Sequence, residues 1–553
     1  MPRRDDLESI LVLGSGPIVI GQAGEFDYSG TQACRALRAD GYRVILVNSN
    51  PATIMTDPGV ADRTYVEPLD LRSLEAIIAK ERPHALLPTL GGQTALNLAV
   101  ELDRAGVLER FGTELIGATA EAIHRAEDRD AFREAMRQAG LEVPRSAVVT
   151  SVEEGRSAID GLGLPVILRP GFTLGGYGGG IARSREELDQ RLTGGLEASP
   201  ISQVLIEESV LGWGEFELEV MRDRNDNAVI VCSIENIDPM GIHTGDSVTV
   251  APAMTLSDTE LQDLRDATLA VVRAIGVETG GANVQFALNR DTGRLLVIEA
   301  NPRASRTVPF VAKATGVPLV SHAVRLMLGA GLDELDLPAR GAARHVAVKE
   351  AVLPFDRFPD ADPMLGPEMR ATGEAMALGG SVEEAFAKAQ RGAGQELPMA
   401  GTVFISARDR DKPRAVAVAG RLSRAGLGLC ATEGTAGAIR AAGVRVETVG
   451  KLGEGSPDAV ALVDAGQISM VVNMPSGGGA HTDGRAIRKA AVRARIPCIT
   501  SIQAAEVAAS TIASGVVGTE TPIALQDIGS GVESPRLREA AGPRTLGMPE
   551  RAR

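Results

Sequence analysis

Along the first 120 residues, short apolar runs alternate with longer stretches in which apolar positions recur every three or four residues. Residues 10–13 form an apolar run of strand length that ends in Gly14-Ser15-Gly16-Pro17, and a helical pattern follows over 29–39 with Ser29 as its N-cap. The alternation continues with a strand at 43–48, a helix at 71–80, a strand at 84–89 and a helix at 94–105. Such a βαβ series predicts a parallel sheet with helices on its faces. From about residue 125 to 330 the pattern changes, and a glycine-rich loop and a hairpin enter. Residues 332–345 read as a linker and 346–395 as a segment of their own. A second βα series then follows, with strands at 402–406 and 470–473 and helices at 415–425 and 485–495. The stretch 533–553 is rich in Arg, Pro and Gly and is expected to be disordered.

The strongest local pattern is Asn283-Val-Gln285-Phe-Ala-Leu-Asn-Arg-Asp-Thr-Gly-Arg-Leu-Leu-Val-Ile-Glu299-Ala-Asn301-Pro-Arg303. It reads as a hairpin turning at Asp291-Thr292-Gly293. A turn centred on Thr292 sets Gln285 opposite Glu299 and Asn283 opposite Asn301, all on one face, with Phe286 and Ile298 on the other. Carboxylate and amide oxygens so placed suit Mg²⁺, which takes a few protein oxygens and completes its shell from phosphates. A polar sheet face with cross-strand hydrogen bonds accounts for the same residues. The Asn301-Pro-Arg303 ending favours the metal reading, because Arg303 and Arg306 would clamp an anionic group beside it.

Three weaker patterns accompany it. An apolar strand ending in Arg169-Pro170 leads into a loop with six glycines in the ten residues 171–180, where backbone N–H groups approach phosphates closely. No Gly-Lys-Ser/Thr follows, so this is not a Walker A loop, and a flexible linker is the competing reading. A strand ending in Glu207-Glu208, followed by Val210 and Glu215, would hold ribose hydroxyls or an adenine amine, or is a solvated strand end. In Met240-Gly241-Ile242-His243-Thr244-Gly245-Asp246-Ser247, His243 is a nucleotide contact or a satisfied loop histidine. Gly14-x-Gly16 invites a dinucleotide reading, but the third glycine would fall at Val19 and Pro17 intrudes, so a tight strand-to-helix turn is expected.

Composition narrows the class. With 553 residues the chain is too long for one core, and about three or four domains are expected. It is 44% hydrophobic but only 3% aromatic, so its cores rely on Ala, Val, Leu and Ile, as buried parallel sheets do. A net charge of −15 argues against nucleic-acid binding. No apolar run suggests a signal peptide or a membrane span. Cys34, Cys232, Cys430 and Cys498 are far apart, which disfavours a disulfide framework or zinc site and fits a reducing, cytoplasmic setting.

Residues 1–57, the run Pro88-Thr-Leu-Gly-Gly-Gln-Thr-Ala-Leu-Asn97, Arg125-Ala-Glu-Asp-Arg129 and Met240–Ser247 resemble the first half of the carbamoyl-phosphate synthase large subunit, within the ATP-grasp superfamily. The resemblance implies that bicarbonate is phosphorylated by ATP to carboxyphosphate, which ammonia converts to carbamate and a second ATP to carbamoyl phosphate. It implies that Arg129, Arg169, Gly175, Gly176, Glu208, Val210, Glu215, Gly241, Ile242 and His243 hold ATP. Gln285, Glu299 and Asn301 would hold Mg²⁺ or Mn²⁺, and Arg303 and Arg306 would steady the carboxyphosphate. It leaves open K⁺ and a separate glutaminase chain. Residues 301–316, 348–359 and 365–370 resemble the family's second half instead. The chain reads as a first-half front joined to a second-half end with one ATP site, for which a homodimer is expected.

The last series resembles the family's methylglyoxal-synthase-like regulatory domain. Ser406, Lys412, Thr432, Thr435, Lys451 and Asn473 match its phosphate site, while Pro475 stands where the family often has threonine. Ser456 falls where a catalytic aspartate would be needed, so an effector site is expected. The implied fold is α/β: a pre-ATP-grasp Rossmann-like domain (1–122), an ATP-grasp domain (123–335), a connector (336–396) and a C-terminal methylglyoxal-synthase-like α/β domain (397–532). Two rival functions stay open: another ATP-grasp carboxylate–amine ligase, and an inactive nucleotide-binding regulatory protein.

Overall fold

Strand Ser9–Leu13 is buried along its whole length and lies at the centre of a five-stranded parallel sheet. The order is Arg63–Tyr65, Arg43–Val47, Ser9–Leu13, Ala85–Leu87, Glu114–Leu115. Residues such as Leu11, Leu13, Ile45 and Leu86 pack with Ile78 and Ala99 of the flanking helices into an aliphatic core. The computed structural model describes residues 4–21, 24–171, 178–337, 345–358, 361–450, 458–474 and 481–527. The tail at 533–553, the loop glycines Gly175 and Gly176, and Lys451, Ser456 and Pro475 fall outside these.

The first helix differs from expectation. It spans Gly24–Ala39, and Ser29 is interior, its hydroxyl donating to the Glu25 carbonyl at 3.0 Å. A serine that bonds back one turn is accommodated inside a helix, so its N-cap propensity does not decide the boundary. The expected tight turn after the first strand is present. A Cβ on Gly14 would fall 2.5 Å from Asn48 Cγ, and Asn48 Oδ1 accepts from the Gly16 N–H at 3.0 Å.

The chain divides into two compact units: Met1–Phe172, Ile181–Glu235 and Pro252–Ala342 in one, and Thr173–Gly180, Asn236–Ala251 and Ala343–Arg553 in the other. Besides the parallel sheet, the first unit holds an antiparallel row Leu295–Asn301, Gly280–Leu288, Gly214–Arg222, Ala228–Asn236. Behind it, Phe216, Leu218, Val284 and Phe286 pack on Leu264, Val271 and Ile275 of helix Asp258–Ile275. That helix begins in a capping box of Ser257 and Glu260 and ends at left-handed Gly276. A smaller sheet, in the order Ser146–Val149, Val204–Glu208, Val166–Pro170, Gly180–Ala182, packs on its own helices.

In the second unit, five parallel strands run in the order Glu447–Val449, Gly428–Thr432, Thr402–Ser406, Met470–Asn473, Cys498–Ile499. Strands Thr249–Ala251, Val346–Val352 and Gly373–Gly379 form an antiparallel row. Ala385, Phe386 and Ala389 of helix Val382–Gly392 share one core with Val403, Ile405 and Val472 of the parallel strands and Ala508 and Ile512 of helix Ile502–Ala513. The segment that reads as separate in sequence is therefore packed into the C-terminal α/β layer. Phe386 is fully buried, and Phe386→Ala is expected to destabilise this unit by about 3–5 kcal/mol in urea denaturation. A loss below about 1 kcal/mol would mean that the helix is not part of that core. Among the described residues no helix is long and apolar enough to cross a membrane.

Candidate active site

The polar face of the antiparallel row is built from strand alternation. Asn283 pairs with Asn301 and Gln285 with Glu299, the expected partners, and on the other side Glu219 pairs with Asn283 and Glu217 with Gln285. Glu217, Gln285 and Glu299 thus form one cross-strand row, and Glu219, Asn283 and Asn301 the next. Toward the turn the register departs from expectation. A bulge between Gln285 and Phe286 sets Val297, rather than Ile298, opposite Phe286. The loop is one residue out of step with a turn centred on Thr292, since the Asn289 N–H donates to the Arg294 carbonyl at 2.9 Å. The bulge absorbs that extra residue and keeps the polar rows facing one way.

This face is acidic and largely buried. Glu215, Glu217 and Glu219 are 4%, 2% and 4% exposed. Asn283 Nδ2 donates to both Glu217 and Glu219 at 3.0 Å, and Asn301 Nδ2 to Glu299 at 3.1 Å. Burial raises the Glu219 carboxyl above the usual range, against the pull of hydrogen bonds from Ser305, Thr307 and Asn283. Asn283 Oδ1 is buried with no hydrogen-bond partner. The donor set fits a hard divalent cation: the Glu299 carboxylate, the Gln285 and Asn301 amides beside it, and an unsatisfied buried oxygen in the adjoining row. No cage of three His, Cys, Asp or Glu side chains exists among the described residues, so a cation there would complete its shell from a ligand's oxygens.

Arginines balance the charge. Arg169, at the end of strand Val166–Pro170, has Nε 2.7 Å from Glu207 Oε2. Glu207 above all, with Glu299 and Glu215, raises its pKa. Arg129 opens helix Arg129–Gln138, and although its side chain reaches solvent, desolvation and the neighbouring Arg169 lower its pKa. Arg303 is lowered by burial, lies 5.6 Å from the centre of the Phe26 ring, and has a buried Nε without a partner. Arg306 Nη1 donates to the Gly21 carbonyl at 3.4 Å.

Glu208 sits differently. It points away from Glu207 and accepts from the Arg145 backbone and side chain at 2.9 and 3.0 Å and from Arg294 at 3.0 and 3.3 Å. Burial would raise its pKa, but these partners hold it below the usual range. Any ligand hydroxyl at Glu208 must compete with two guanidinium groups. Val210 is buried just beyond this strand. Glu217 and Glu219, which pair with Gln285 and Asn283, line the same face and are absent from the expected set. The period-two pattern Glu215-Phe216-Glu217-Leu218-Glu219 is legible in sequence, but only the strand pairing places it beside Gln285.

Gly241, Ile242 and His243 belong to the second unit. The His243 N–H donates to the Gly366 carbonyl at 2.8 Å, and its Nδ1 accepts from the Gly245 N–H at 3.0 Å. In the same unit Ser406 and Asn473 are paired at the ends of adjacent strands, where the chain turns from one side of the sheet to the other. Such a switch point opens a crevice for ligands in parallel sheets. Thr432 ends the neighbouring strand, and Thr435 Oγ1 accepts from the Ala407 N–H at 3.1 Å. Lys412 Nζ lies 2.6 Å from Asp409 Oδ1.

Three sequence profiles match the chain: "Carbamoyl phosphate synthase preATP-grasp domain" over residues 6–125, "Carbamoyl-phosphate synthase L chain, ATP binding domain" over 128–335, and "MGS-like domain" over 414–500. The chain is 57% identical over 420 residues to the carbamoyl phosphate synthase large chain, N-terminal section, of Aquifex aeolicus, covering 74% of this chain and 75% of that one. It is 58% identical over 399 residues to the carbamoyl phosphate synthase large chain of Archaeoglobus fulgidus, a match that takes in 71% of this chain and 37% of the relative. The chain therefore spans well under two thirds of the length of such relatives. In fold it is similar to the biotin carboxylase domain of Hydrogenobacter thermophilus 2-oxoglutarate carboxylase, a dimer in complex with MgADP, ADP and bicarbonate, with a TM-score of 0.55 and 19% identity over 70% of this chain and 89% of that one.

Proposed function

We propose, from the premise that this chain belongs to the carbamoyl phosphate synthase large-chain family, that it phosphorylates bicarbonate with ATP and, with ammonia, forms carbamate and then carbamoyl phosphate. The observation that supports this reading most is the pairing of Gln285 with Glu299 beside Asn301 and Arg303, which places hard oxygen donors and a guanidinium at one sheet edge. A fold neighbour crystallised with MgADP and bicarbonate supports the same substrate class.

The chemistry asked of the protein is positioning and charge neutralisation. Arg169 and Arg129 supply positive charge for the ATP phosphates. Gln285, Glu299 and Asn301 would hold Mg²⁺ or Mn²⁺. When bound, that metal neutralises charge on the transferring phosphoryl group. Arg303, already desolvated, and Arg306 would hold the carboxyphosphate away from water while ammonia attacks its carbonyl carbon and phosphate leaves. Buried Phe26 keeps one side of Arg303 apolar. Both phosphorylations are assigned to this one kind of site, in a homodimer, with ammonia supplied free or by a separate glutaminase chain. K⁺ as a further cation and a cytoplasmic location belong to the same reading.

The test is bicarbonate-dependent ADP release by the purified chain, with trapping of carbamoyl phosphate and light scattering. Trapped carbamoyl phosphate from a dimer is the expected result. An amide product would identify a different ATP-grasp ligase, and ATP binding without bicarbonate-dependent turnover would identify a regulatory binder. A monomer that hydrolyses ATP and yields no carbamoyl phosphate would overturn the homodimer.

A further inference from the structure

The turn that carries Arg303 and Arg306 is held by a buried carboxyl group that no step of the proposed reaction uses. Glu219 lies in strand Gly214–Arg222. Its Oε1 accepts from Ser305 Oγ at 2.5 Å, from Thr307 Oγ1 at 2.6 Å and from Asn283 Nδ2 at 3.0 Å. The two hydroxyl oxygens lie 2.7 Å apart, and Ser305 Oγ also accepts from the Thr307 N–H at 3.2 Å. One oxygen therefore grips the residues on both sides of Arg306. Thr307 is the N-cap of helix Val308–Thr315, yet its side chain makes no capping bond. A threonine in that place ordinarily caps its own helix. Here the hydroxyl is directed to Glu219 instead.

Packing leaves this turn room to move. A cavity lies against Ala304 and Val308, walled by apolar side chains such as Leu90, Val320 and Met327, and Glu219 and Arg303 are the charged residues of its lining. Groups that face a void have no partner atoms on that side to resist a shift. The Ala304 N–H donates to the Thr89 carbonyl at 2.9 Å, which anchors the start of the turn. Beyond Ala304, the two hydroxyl bonds to Glu219 fix its course, and both are as short as charge-assisted bonds. A misplacement of about 1 Å in a group that orients a substrate costs on the order of 100-fold in rate. We propose that Glu219 is a positioning residue for the bicarbonate side of the site: through Ser305 and Thr307 it fixes the turn that aims Arg303 and Arg306, and so sets how tightly bicarbonate is held. The proposal rests on reading those two arginines as the clamp for that anion, and it names what holds the clamp.

Initial-rate ADP release by the full chain, with Mg²⁺ and ammonia saturating, gives a separate KM for bicarbonate and for ATP. Ser305→Ala combined with Thr307→Val removes both hydroxyls and keeps Glu219 and both arginines. It should raise the KM for bicarbonate by at least about 10-fold while the KM for ATP moves less than about 3-fold. A fall in the amount of folded enzyme lowers the rate and leaves both KM values in place, so the split separates positioning from instability. Glu219→Met, of similar size but without an acceptor, should reproduce the double variant. Glu219→Gln and Thr307→Ser, which keep the acceptor and the hydroxyl, should each stay within about 3-fold of the wild-type KM for bicarbonate. Thr307→Val alone, at a half-buried position, should raise that KM by at least about 3-fold, and it decides the matter if the larger changes fail to fold. If wild-type ADP release does not depend on bicarbonate, the reading of the site fails and takes this proposal with it. If it does, and the variants without the hydroxyls or the acceptor keep both KM values or raise them alike, the proposal alone is overturned.

Discussion

Glu299→Gln is expected to lower bicarbonate-dependent ATP hydrolysis by at least about 100-fold, the scale of losing one preorganised electrostatic group from a transition state. Glu299 is the anionic member of the Glu299, Gln285 and Asn301 donor set, and glutamine keeps its shape while removing its charge. A divalent cation held by one carboxylate and neutral amides loses most of its protein-side attraction with that charge. The fold should survive. The Asn301 Nδ2 donates to Glu299 Oε1 at 3.1 Å, a bond that a glutamine oxygen accepts equally. The measurement is initial-rate ADP release at saturating Mg²⁺, with a urea melt as the control. A variant within about 3-fold of wild type would remove Glu299 from the site. Loss of activity accompanied by a large fall in stability would make its role structural.

Glu350→Gln should flatten the pH dependence of stability of the second unit and stabilise it most above pH 8. Glu350 is 9% exposed and its carboxyl is pushed up to about 8, first by burial and then by Asp238, against Lys349 and Gln390. Its ordinary value is 4.5. Between those two pH values the folded chain keeps the proton and the unfolded chain has lost it, so stability falls as pH rises through the window. One such group contributes a slope of up to about 1.4 kcal/mol per pH unit, and a few kcal/mol in total. Asp238 is also raised by burial and adds a slope of the same sign. Glutamine stays neutral and can still accept from Gln390 Nε2, which lies 2.6 Å from Glu350 Oε2. Urea denaturation at pH 5, 6.5 and 8 compares the slopes. Equal slopes in wild type and variant would show that Glu350 does not hold its proton in the native state.

Much of the architecture is legible in the chain because it depends on local periodicity. The strands at 402–406 and 470–473 fall where their apolar runs lie, since a strand buried on both faces has no polar positions to blur its ends. Helix ends are less legible. The helices expected at 415–425 and 485–495 begin earlier, at Lys412 and His481, because polar first turns carry no apolar period. The cross-strand partners Gln285 and Glu299 could be read from the turn, whereas the bulge beyond them could not. A bulge depends on how both strands meet the core, and Val297, not Ile298, is the side chain that fills it.

By itself the sequence determined the α/β class, the hairpin, the acidic alternation of Glu215, Glu217 and Glu219, and the family, because each rests on residues near one another in the chain. Only the tertiary structure decided which charges neutralise which. It turned Glu207 toward Arg169 and Glu208 toward Arg145 and Arg294, although the two glutamates are adjacent, because successive strand residues face opposite sides. It also packed Phe386 into the C-terminal core and set Arg488 between Asn473 and Asp362. Those partners are 15 and 126 residues from Arg488 along the chain. Local pattern carries no record of such pairings, since electrostatic and packing energies depend on distance in space and not on separation in sequence.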